Sequence, residues 1–306
     1  MPLTAQDDLR HALPASPYAR ESLYYDIVLP DEGLLIFFYT WVDGGNRAGY
    51  LLAVVGEGDE KLAFHTGDGV DVGARDFDDW AVEGLIVRHT ELLERAELGF
   101  TADDVAFSAR VEGLHPAFDY QSNADGCPSF VATNRFEQSL RITGTLRVAG
   151  REIAIEGTAH RDHSWGDRDW DSMQDWKWLS AQAGEDLVLN AMQIHGRGET
   201  TFHGYVQRDG VLAGVTMLRG ETEYDDQWQQ QRARFRITDE AGRVTAVELE
   251  RFAMLSFAAG EGIQLNEAAC RGTIDGRPAA VHLENGWDAQ YAATQAKRMQ
   301  ARAATR

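Results

Sequence analysis

The segment "AHRDHSWGDRDWDSMQDWKW", from Ala159 to Trp178, concentrates side chains that can do chemistry. It contains two His, two Arg, five Asp, one Lys and four Trp. Carboxyl and imidazole groups exchange protons, cationic side chains pair with acids, and indoles provide apolar walls and cation–π faces. The mixture is compatible with a metal site, an acid–base site, a ligand pocket or a salt-bridge network at a strand end.

Asp162 is the candidate general acid. A carboxyl group packed against indoles has a raised pKa and keeps its proton near neutral pH, whereas a neighbouring Arg or protonated His lowers that pKa. His160 or His163 would adjust the proton affinity of Asp162 or return the proton. The indoles available to line a cavity and stabilise positive charge are Trp165, Trp170, Trp176 and Trp178.

The secondary structure of the segment determines which of these side chains lie on the same face. Alternating apolar residues before it predict a β-strand. On a strand, His160 and Asp162 share one face, and Arg161 and His163 share the other. A bulge at Gly157 would exchange the two faces, so the sequence leaves open which pair points inward.

Metal binding is the weaker alternative. The spacing of His160 and His163 places both on one face of a helix but on opposite faces of a strand. A site of two His and one carboxylate would need another ligand, such as His195 or His203. No GxGxxG motif joins a strand to a helix. We therefore predict neither a metal nor a cofactor.

Strand pairing brings a second acid to the segment. "NRFEQSLRITGTLRV" and "REIAIEGTAHRD" flank Ala149-Gly150, which predicts a hairpin. Counting outward from this turn sets Glu137 opposite Asp162, and Gln138 follows in the chain. Two facing acids perturb each other's titration or share an arginine. We predict Glu137 as catalytic and Gln138 as substrate-binding.

A structural role is the alternative for each of these residues. Arg161 and Arg168 are both followed by Asp, so they are suited to ion pairs at a domain junction as well as to substrate binding. The tryptophans are equally suited to packing two domains together. Both interpretations stay open at the level of the sequence.

Most of the chain is predicted to form antiparallel strands. Asp209-Gly210 and Asp275-Gly276 are tight-hairpin signals, and helices long enough for parallel crossovers are missing. One meander of this length rarely stays a single sheet. We predict an all-β fold of two antiparallel barrel or sandwich domains, residues 1–165 and 166–306, with a short helix in "WDAQYAATQAKRMQARAATR".

Irregular segments are also predicted. The long loop "HPAFDYQSNADGCPSF", His115–Phe130, is expected to line a site, because long loops in compact domains are often functional. Helical turns are expected in "SPYARES" and "FTADDVA".

Composition limits the class of partner. The chain has 306 residues and a net charge of −20. That charge disfavours nucleic acid and anionic membrane surfaces. Two cysteines, Cys127 and Cys270, make neither a disulfide framework nor a zinc cluster. With no apolar run of about 18 residues and no signal sequence, we expect a cytoplasmic protein without a membrane span. A homodimer is left open.

The stretch "NRFEQSLRITGTLRVAGREIAIEGTAHRDHSWGDRDW" resembles the signature "G-x-x-HRDHSWGxRDW" of a bacterial two-domain family. That family is similar to the hydroxyneurosporene synthase (carotenoid 1,2-hydratase) and AttH-like group. The resemblance implies two lipocalin-like β-barrels and hydratase or cyclase chemistry without a cofactor. The positions it covers are Asn134, Glu137, Gln138, Arg161, Asp162, His163, Trp165, Gly166 and Arg168. Asp167 departs from the Pro or small apolar residue that is usual there.

These observations predict a cofactor-independent lyase or isomerase of hydratase, dehydratase or cyclase type. Its substrate would be a hydrophobic small molecule such as a terpenoid, steroid or aromatic, and the pocket would lie near the junction of the two barrels. Two alternatives remain: a non-catalytic carrier of a hydrophobic ligand, and a pericyclase that works by shape alone.

Overall fold

The computed structural model describes residues 3–259 and 262–303 and contains two antiparallel β-sheets followed by one helix. The strands of the first sheet are β1 (Ala19–Leu29), β2 (Leu34–Asp43), β3 (Arg47–Gly56), β4 (Glu60–Asp71), β5 (Trp80–Val82), β6 (Leu85–Glu91), β7 (Arg95–Thr101), β8 (Val105–Gly113), β9 (Phe118–Asp119), β10 (Asn134–Val148) and β11 (Arg151–Asp167). The second sheet and the helix comprise β12 (Met173–Gln182), β13 (Val188–Gly196), β14 (Glu199–Arg208), β15 (Val211–Tyr224), β16 (Gln230–Asp239), β17 (Val244–Ala259), β18 (Ile263–Ile274), β19 (Arg277–Asp288) and α1 (Ala289–Ala303).

The first sheet has eleven strands in the order β4-β3-β2-β1-β11-β10-β8-β7-β6-β5, with β9 added to β10. It curls around its own apolar core, so that distant strands meet across it. The rings of Phe38 and Phe107 lie 5.8 Å apart, and Tyr50 on β3 hydrogen-bonds Glu83 beside β5. β1 and β11, which come from opposite ends of this sheet's sequence, pair at its centre.

The second sheet is a closed barrel in which β12 to β19 follow one another and β19 pairs with β12. Its interior holds small and branched side chains such as Leu189, Ile237 and Val281. The predicted hairpin at Asp209-Gly210 is confirmed, with φ of 52° and 73°, and the hairpin at Asp275-Gly276 has the same form. Left-handed backbone at both positions is what a two-residue turn of this kind needs.

A third apolar core joins the two sheets and explains why the central strands are buried on both faces. On β1, Leu23 and Tyr25 point into the first core, while Tyr24 and Val28 point toward the barrel. The barrel contributes outward-facing residues, including Trp178. The prediction of two lipocalin-like β domains with a C-terminal helix is confirmed.

Two local predictions of helical turns were wrong. "SPYARES" is a turn that enters β1, and "FTADDVA" joins β7 to β8, because both segments are taken up by sheet pairing. The question of a bulge at Gly157, which the sequence left open, is answered by the ladder of β11 with β10, which is continuous from Arg151 to Trp165. The first sheet ends at Asp167 and the barrel begins at Met173. Within the described chain, no helix combines the length and apolar character needed to cross a bilayer.

Candidate active site between the two sheets

The polar face of the first sheet is built by strand alternation. Ser164, Asp162 and His160 on β11 point toward the barrel, and the predicted pairing of Glu137 with Asp162 is confirmed. Tyr24 on β1 lies opposite Asp162 on its other side. An uninterrupted β11 thus holds its even-numbered side chains in one row at the sheet's centre.

A cavity of about 310 Å³ lies between this face and the outside of the barrel. Its walls combine aromatic and apolar side chains with three carboxyl and three guanidinium groups. The polar and charged lining residues are Arg20, Ser22, Tyr24, Tyr39, Thr66, Arg135, Asp162, Arg168, Glu267 and Glu284. The apolar and indole lining includes Phe37, Trp41, Leu51, Val131, Trp170, Met173, Trp176, Met192, Phe257 and Leu265.

Arg135 organises the acids on the sheet side. Its Nε donates to Oε1 of Glu137 at 2.6 Å, and its Nη2 donates to Oδ2 of Asp162 at 3.0 Å. Nε2 of His160 lies 2.6 Å from the other oxygen of Glu137. The indole N–H of Trp178 donates to Glu137 at 3.0 Å. Glu137 therefore receives three polar contacts, whereas Asp162 receives one from this group.

The two facing acids titrate differently. Burial opposes ionisation of Glu137, but Arg135 and His160 outweigh it and lower the pKa of Glu137. Burial raises the pKa of Asp162 to about 6, and the nearby charge of Glu137 adds to the rise while Arg135 opposes it. Glu137 is thus a fixed carboxylate, and Asp162 is a group that exchanges its proton near neutral pH.

Buried hydroxyls fix the far side of His160. Oγ of Ser139 and the phenol oxygen of Tyr205 each lie 3.4 Å from its Nδ1, and they lie 2.8 Å from each other. Tyr205 of the barrel thereby extends the hydrogen-bonded network of Ser139 and His160 in the first sheet. His160 is fully buried, contacts Glu137 directly, and its charge also lowers the pKa of Asp162.

The barrel side supplies a second group of acids. His282 lies between Asp26 and Glu267, with its Nε2 3.0 Å from Glu267 and its Nδ1 3.6 Å from Asp26. Burial opposes the charge of His282, but these two carboxylates raise its pKa to about 10. His282 is therefore a cation at neutral pH and contacts Glu267 on the barrel side of the cavity.

Glu284 is a buried acid whose pKa lies far above its ordinary value. Burial raises its pKa to about 8, with a further contribution from the charge of Glu267. The indole N–H of Trp176 donates to one oxygen of Glu284. Gly286 leaves room for that indole, since a Cβ there would lie 2.2 Å from the ring. Glu284 therefore holds a proton at neutral pH at the cavity wall.

The opposite face of β11 has a different role. Arg161 donates to Asp8 at 3.0 Å and to Gln138 at 3.0 Å. Nε2 of His163 lies 2.8 Å from Glu21, and Nδ1 of His11 lies 2.7 Å from the same oxygen. These contacts attach the N-terminal segment to the first sheet.

That cluster is also the place in the described chain where a metal ion could be held. The donor atoms of His11, Glu21 and His163 lie within 4.8 Å of one another. Both imidazoles already bond one carboxylate oxygen, as expected of a hydrogen-bonded network. Trp165 stacks on His11 at 3.8 Å and completes the packing.

The residues predicted from the sequence therefore separate into three groups. Those that line the cavity are Asp162, Arg168, Trp170 and Trp176. Those that support it from behind are Glu137, His160 and Trp178. Those on the opposite face, away from the cavity, are Arg161, His163, Trp165 and Gln138. For the last group the geometry gives no contact with a substrate, because strand alternation turns them into the first core.

The predicted site loop His115–Phe130 also differs from expectation. Phe118 and Tyr120 are buried in the core between the sheets, and Tyr120 donates to Asn190 on the barrel at 2.7 Å. Arg135 lies over the Tyr120 ring at 5.5 Å. The loop supports Arg135 from behind, and the cavity wall begins after it at Val131.

Sequence reasoning missed Arg20, Tyr24, Arg135, Glu267 and Glu284. Arg135 had a usable signal, because it precedes Glu137 by two residues and shares its face. The two glutamates gave none, since alternation of charged and apolar residues on β18 and β19 is also what a solvent-facing strand shows.

Solved structures with a similar fold support the architecture. A protein assigned as AttH from Nitrosomonas europaea has a TM-score of 0.63 and 17% identity, covering 89% of this chain and 93% of that one. Kievitone hydratase from Nectria haematococca has a TM-score of 0.64 and 12% identity, covering 94% and 93%. CghA has a TM-score of 0.58 and 16% identity, covering 89% of each chain.

The expected likeness to AttH-like proteins is thus confirmed at the level of the fold. No curated protein matches the sequence. Over residues 4–289 the sequence matches the family described as Domain of unknown function (DUF7064), and the chain belongs to that family.

Proposed function

We propose that this protein is an acid–base lyase or isomerase of hydratase type, acting on a hydrophobic small molecule in the cavity between its two sheets. The observation that supports this most is the pair of titrating acids on opposite walls, with a pKa of about 6 for Asp162 and about 8 for Glu284. Carboxyl groups whose environments separate their pKa values are suited to complementary acid and base roles.

Glu284 is the proton donor in this proposal. It is protonated at neutral pH, and the Trp176 N–H occupies one of its oxygens, leaving the other to deliver the proton. This replaces the sequence hypothesis, which gave the donor role to Asp162. In dehydration Glu284 would protonate the departing hydroxyl, and in hydration it would protonate the alkene or the group conjugated to it.

Asp162 is the base. Its carboxylate, positioned by Arg135, accepts a proton from the attacking water in hydration or from the substrate carbon in dehydration. Positive charge that develops between the two acids faces the aromatic walls formed by Tyr24, Trp41 and Trp176. His160 and Glu137 act as positioning residues through Arg135.

The size and walls of the cavity support a small apolar substrate. A volume of about 310 Å³ lies at the lower end of the usual range for ligand pockets, about 300–1,000 Å³. Among proteins of similar fold, one is named as a hydratase and another has been solved together with Sch210972. These likenesses support the chemical class and leave the substrate to experiment.

Isotopically labelled water tests the proposal. The purified protein is incubated with a fraction of hydrophobic metabolites in ¹⁸O-water, and products are followed by mass spectrometry. Hydration adds one labelled water to the substrate, and dehydration lowers the substrate mass by one water. A parallel incubation in heavy water detects isomerisation, which adds deuterium to the product without ¹⁸O. A carrier would release its ligand unchanged, and catalysis by shape alone would give a product without solvent isotope.

Matched variants then assign the acids. Asp162→Asn and Glu284→Gln should each lower kcat about 10²–10⁴-fold, the usual contribution of a positioned acid or base. Glu221→Gln, an exposed glutamate on β15, is the control and should leave kcat unchanged. Turnover that survives both cavity substitutions would overturn the acid–base proposal.

A further inference from the structure

Two guanidinium groups lie at one end of the cavity. Arg20, near the start of β1, stacks over Trp41 at 4.4 Å and over Tyr39 at 5.5 Å. Arg168, just after β11, stacks over Trp170 at 5.5 Å. Both line the cavity.

These two cations differ from the third arginine of the cavity. Arg135 is paired with two carboxylates. Over residues 3–259 and 262–303, neither Arg20 nor Arg168 has a carboxylate within 4.0 Å, and Nε of Arg20 is buried without a hydrogen-bond partner. Arg168 donates to the hydroxyl of Ser164 at 2.7 Å, which satisfies a hydrogen bond but neutralises no charge.

The pKa values of Tyr39 and Arg20 are consistent with an excess of positive charge at this end of the cavity. Burial favours the neutral phenol of Tyr39, yet Arg20 and Arg168 together lower its pKa. Burial also lowers the pKa of Arg20, and the charge of Arg168 adds to this effect, while Tyr39 and the more distant Asp68 oppose it. Holding two like charges in a partly desolvated wall costs free energy unless an anion joins them. Guanidinium groups are particularly suited to that anion because they form charge-assisted N–H bonds to oxyanions, and bind carboxylates through two parallel N–H donors.

We infer that the cavity takes a hydrophobic molecule bearing one anionic group, such as a carboxylate, phenolate or enolate, and that Arg20 and Arg168 bind that group. This inference rests on the proposed function for its site and names the substrate class. It also bears on orientation: Arg20 and Arg168 would hold the anion on the wall of the first sheet, whereas Glu267 and Glu284 lie on the barrel wall. The substrate would therefore present its neutral part to Glu284.

A matched pair of fluorescent probes tests the inference without turnover. 8-Anilinonaphthalene-1-sulfonate and N-phenyl-1-naphthylamine share one aromatic framework, and only the first has an anionic group. We expect the wild-type protein to bind the sulfonate at least tenfold more tightly than the neutral probe. Arg20→Gln and Arg168→Gln should each remove most of that preference while leaving the affinity for the neutral probe within about twofold.

Controls separate charge from shape. Arg20→Lys keeps the charge and should retain part of the preference, and Arg219→Gln, an exposed arginine on β15, should retain all of it. Circular dichroism verifies that each variant is folded, and the comparison of the two probes on wild-type protein stands even if one variant does not fold. Equal affinity for the two probes, no binding of either, or a preference unaffected by both glutamine variants would overturn the inference.

The outcome is independent of catalysis. A protein that prefers the sulfonate but exchanges no solvent isotope with any metabolite would retain the anion site and lose the acid–base proposal. A protein that turns over a neutral substrate and shows no preference for the sulfonate would retain the acid–base proposal and lose the anion site.

Discussion

Replacing Glu284 by Gln should make the protein more stable at alkaline pH. The pKa of Glu284 is about 8 in the folded chain against an ordinary value of 4.5. The folded state therefore binds this proton more tightly than the unfolded state. The contribution of Glu284 to the free energy of unfolding is fully present below pH 4.5 and is lost as pH rises through about 8. The amide of Glu284→Gln does not titrate, yet its oxygen still accepts the N–H of Trp176.

The magnitude follows from the displacement of the pKa. At about 1.4 kcal/mol per pH unit, a carboxyl with a pKa of about 8 instead of 4.5 carries up to ~5 kcal/mol of pH-dependent stability. Water in the cavity screens part of this electrostatic contribution, so we expect a pH-dependent difference of ~2–5 kcal/mol in the free energy of unfolding. Glu284→Gln should match the wild type within ~1 kcal/mol at pH 5 and exceed it by at least ~2 kcal/mol at pH 8.5.

Urea denaturation followed by tryptophan fluorescence, repeated from pH 5 to 9, measures this difference. Subtracting the wild-type curve from the variant curve removes groups common to both, including His282, whose contribution is present below pH 6.5 and lost as pH rises through about 10. Glu221→Gln, on an exposed strand position, should run parallel to the wild type. Parallel curves for Glu284→Gln would show that Glu284 is an ordinary carboxylate and would remove the proposed proton donor.

Three further substitutions test the supporting structure. Trp178→Phe removes the 3.0 Å donor to buried Glu137 and should cost about 1–3 kcal/mol in urea denaturation. Arg161→Gln leaves buried Asp8 without its guanidinium partner, so we expect a loss of about 3–5 kcal/mol with unchanged probe binding in the protein that folds. Gly166→Ala places a Cβ 2.1 Å from a neighbouring hydroxyl at a φ of 113° and should lower Tm by several degrees or abolish soluble expression.

Much of the architecture was predictable because it depends on local signals. The Asp-Gly turns on the barrel and the turn at Ala149-Gly150 fix hairpin registers, and a fixed register determines which residues face each other. Counting from the latter turn was enough to pair Glu137 with Asp162. The same counting predicted that two facing acids could share an arginine, and Arg135 is that arginine.

The barrel half of the site was not predictable because, among the described residues, no hydrogen-bonded ladder connects it to the first sheet. Glu267 and Glu284 pair with each other across β18 and β19, as two acids on an exposed face could. Only the packing of one sheet on the other buries them and raises the pKa of Glu284. Contacts of this kind depend on the relative orientation of two sheets, which the alternation within a strand does not specify.

The alternation of β11 assigns different roles to neighbouring residues of the signature. Arg161 and His163 point into the first core, where they bind Asp8 and Glu21, whereas Asp162 points into the cavity. A strand with charged residues on both faces is costly unless each face has its own partners. Each face of "HRDH" has an ion-pair partner: Asp8 of the N-terminal segment pairs with Arg161, and Arg135 pairs with Asp162. The substitution of adjacent residues should therefore separate stability from activity, with Arg161→Gln affecting unfolding and Asp162→Asn affecting turnover.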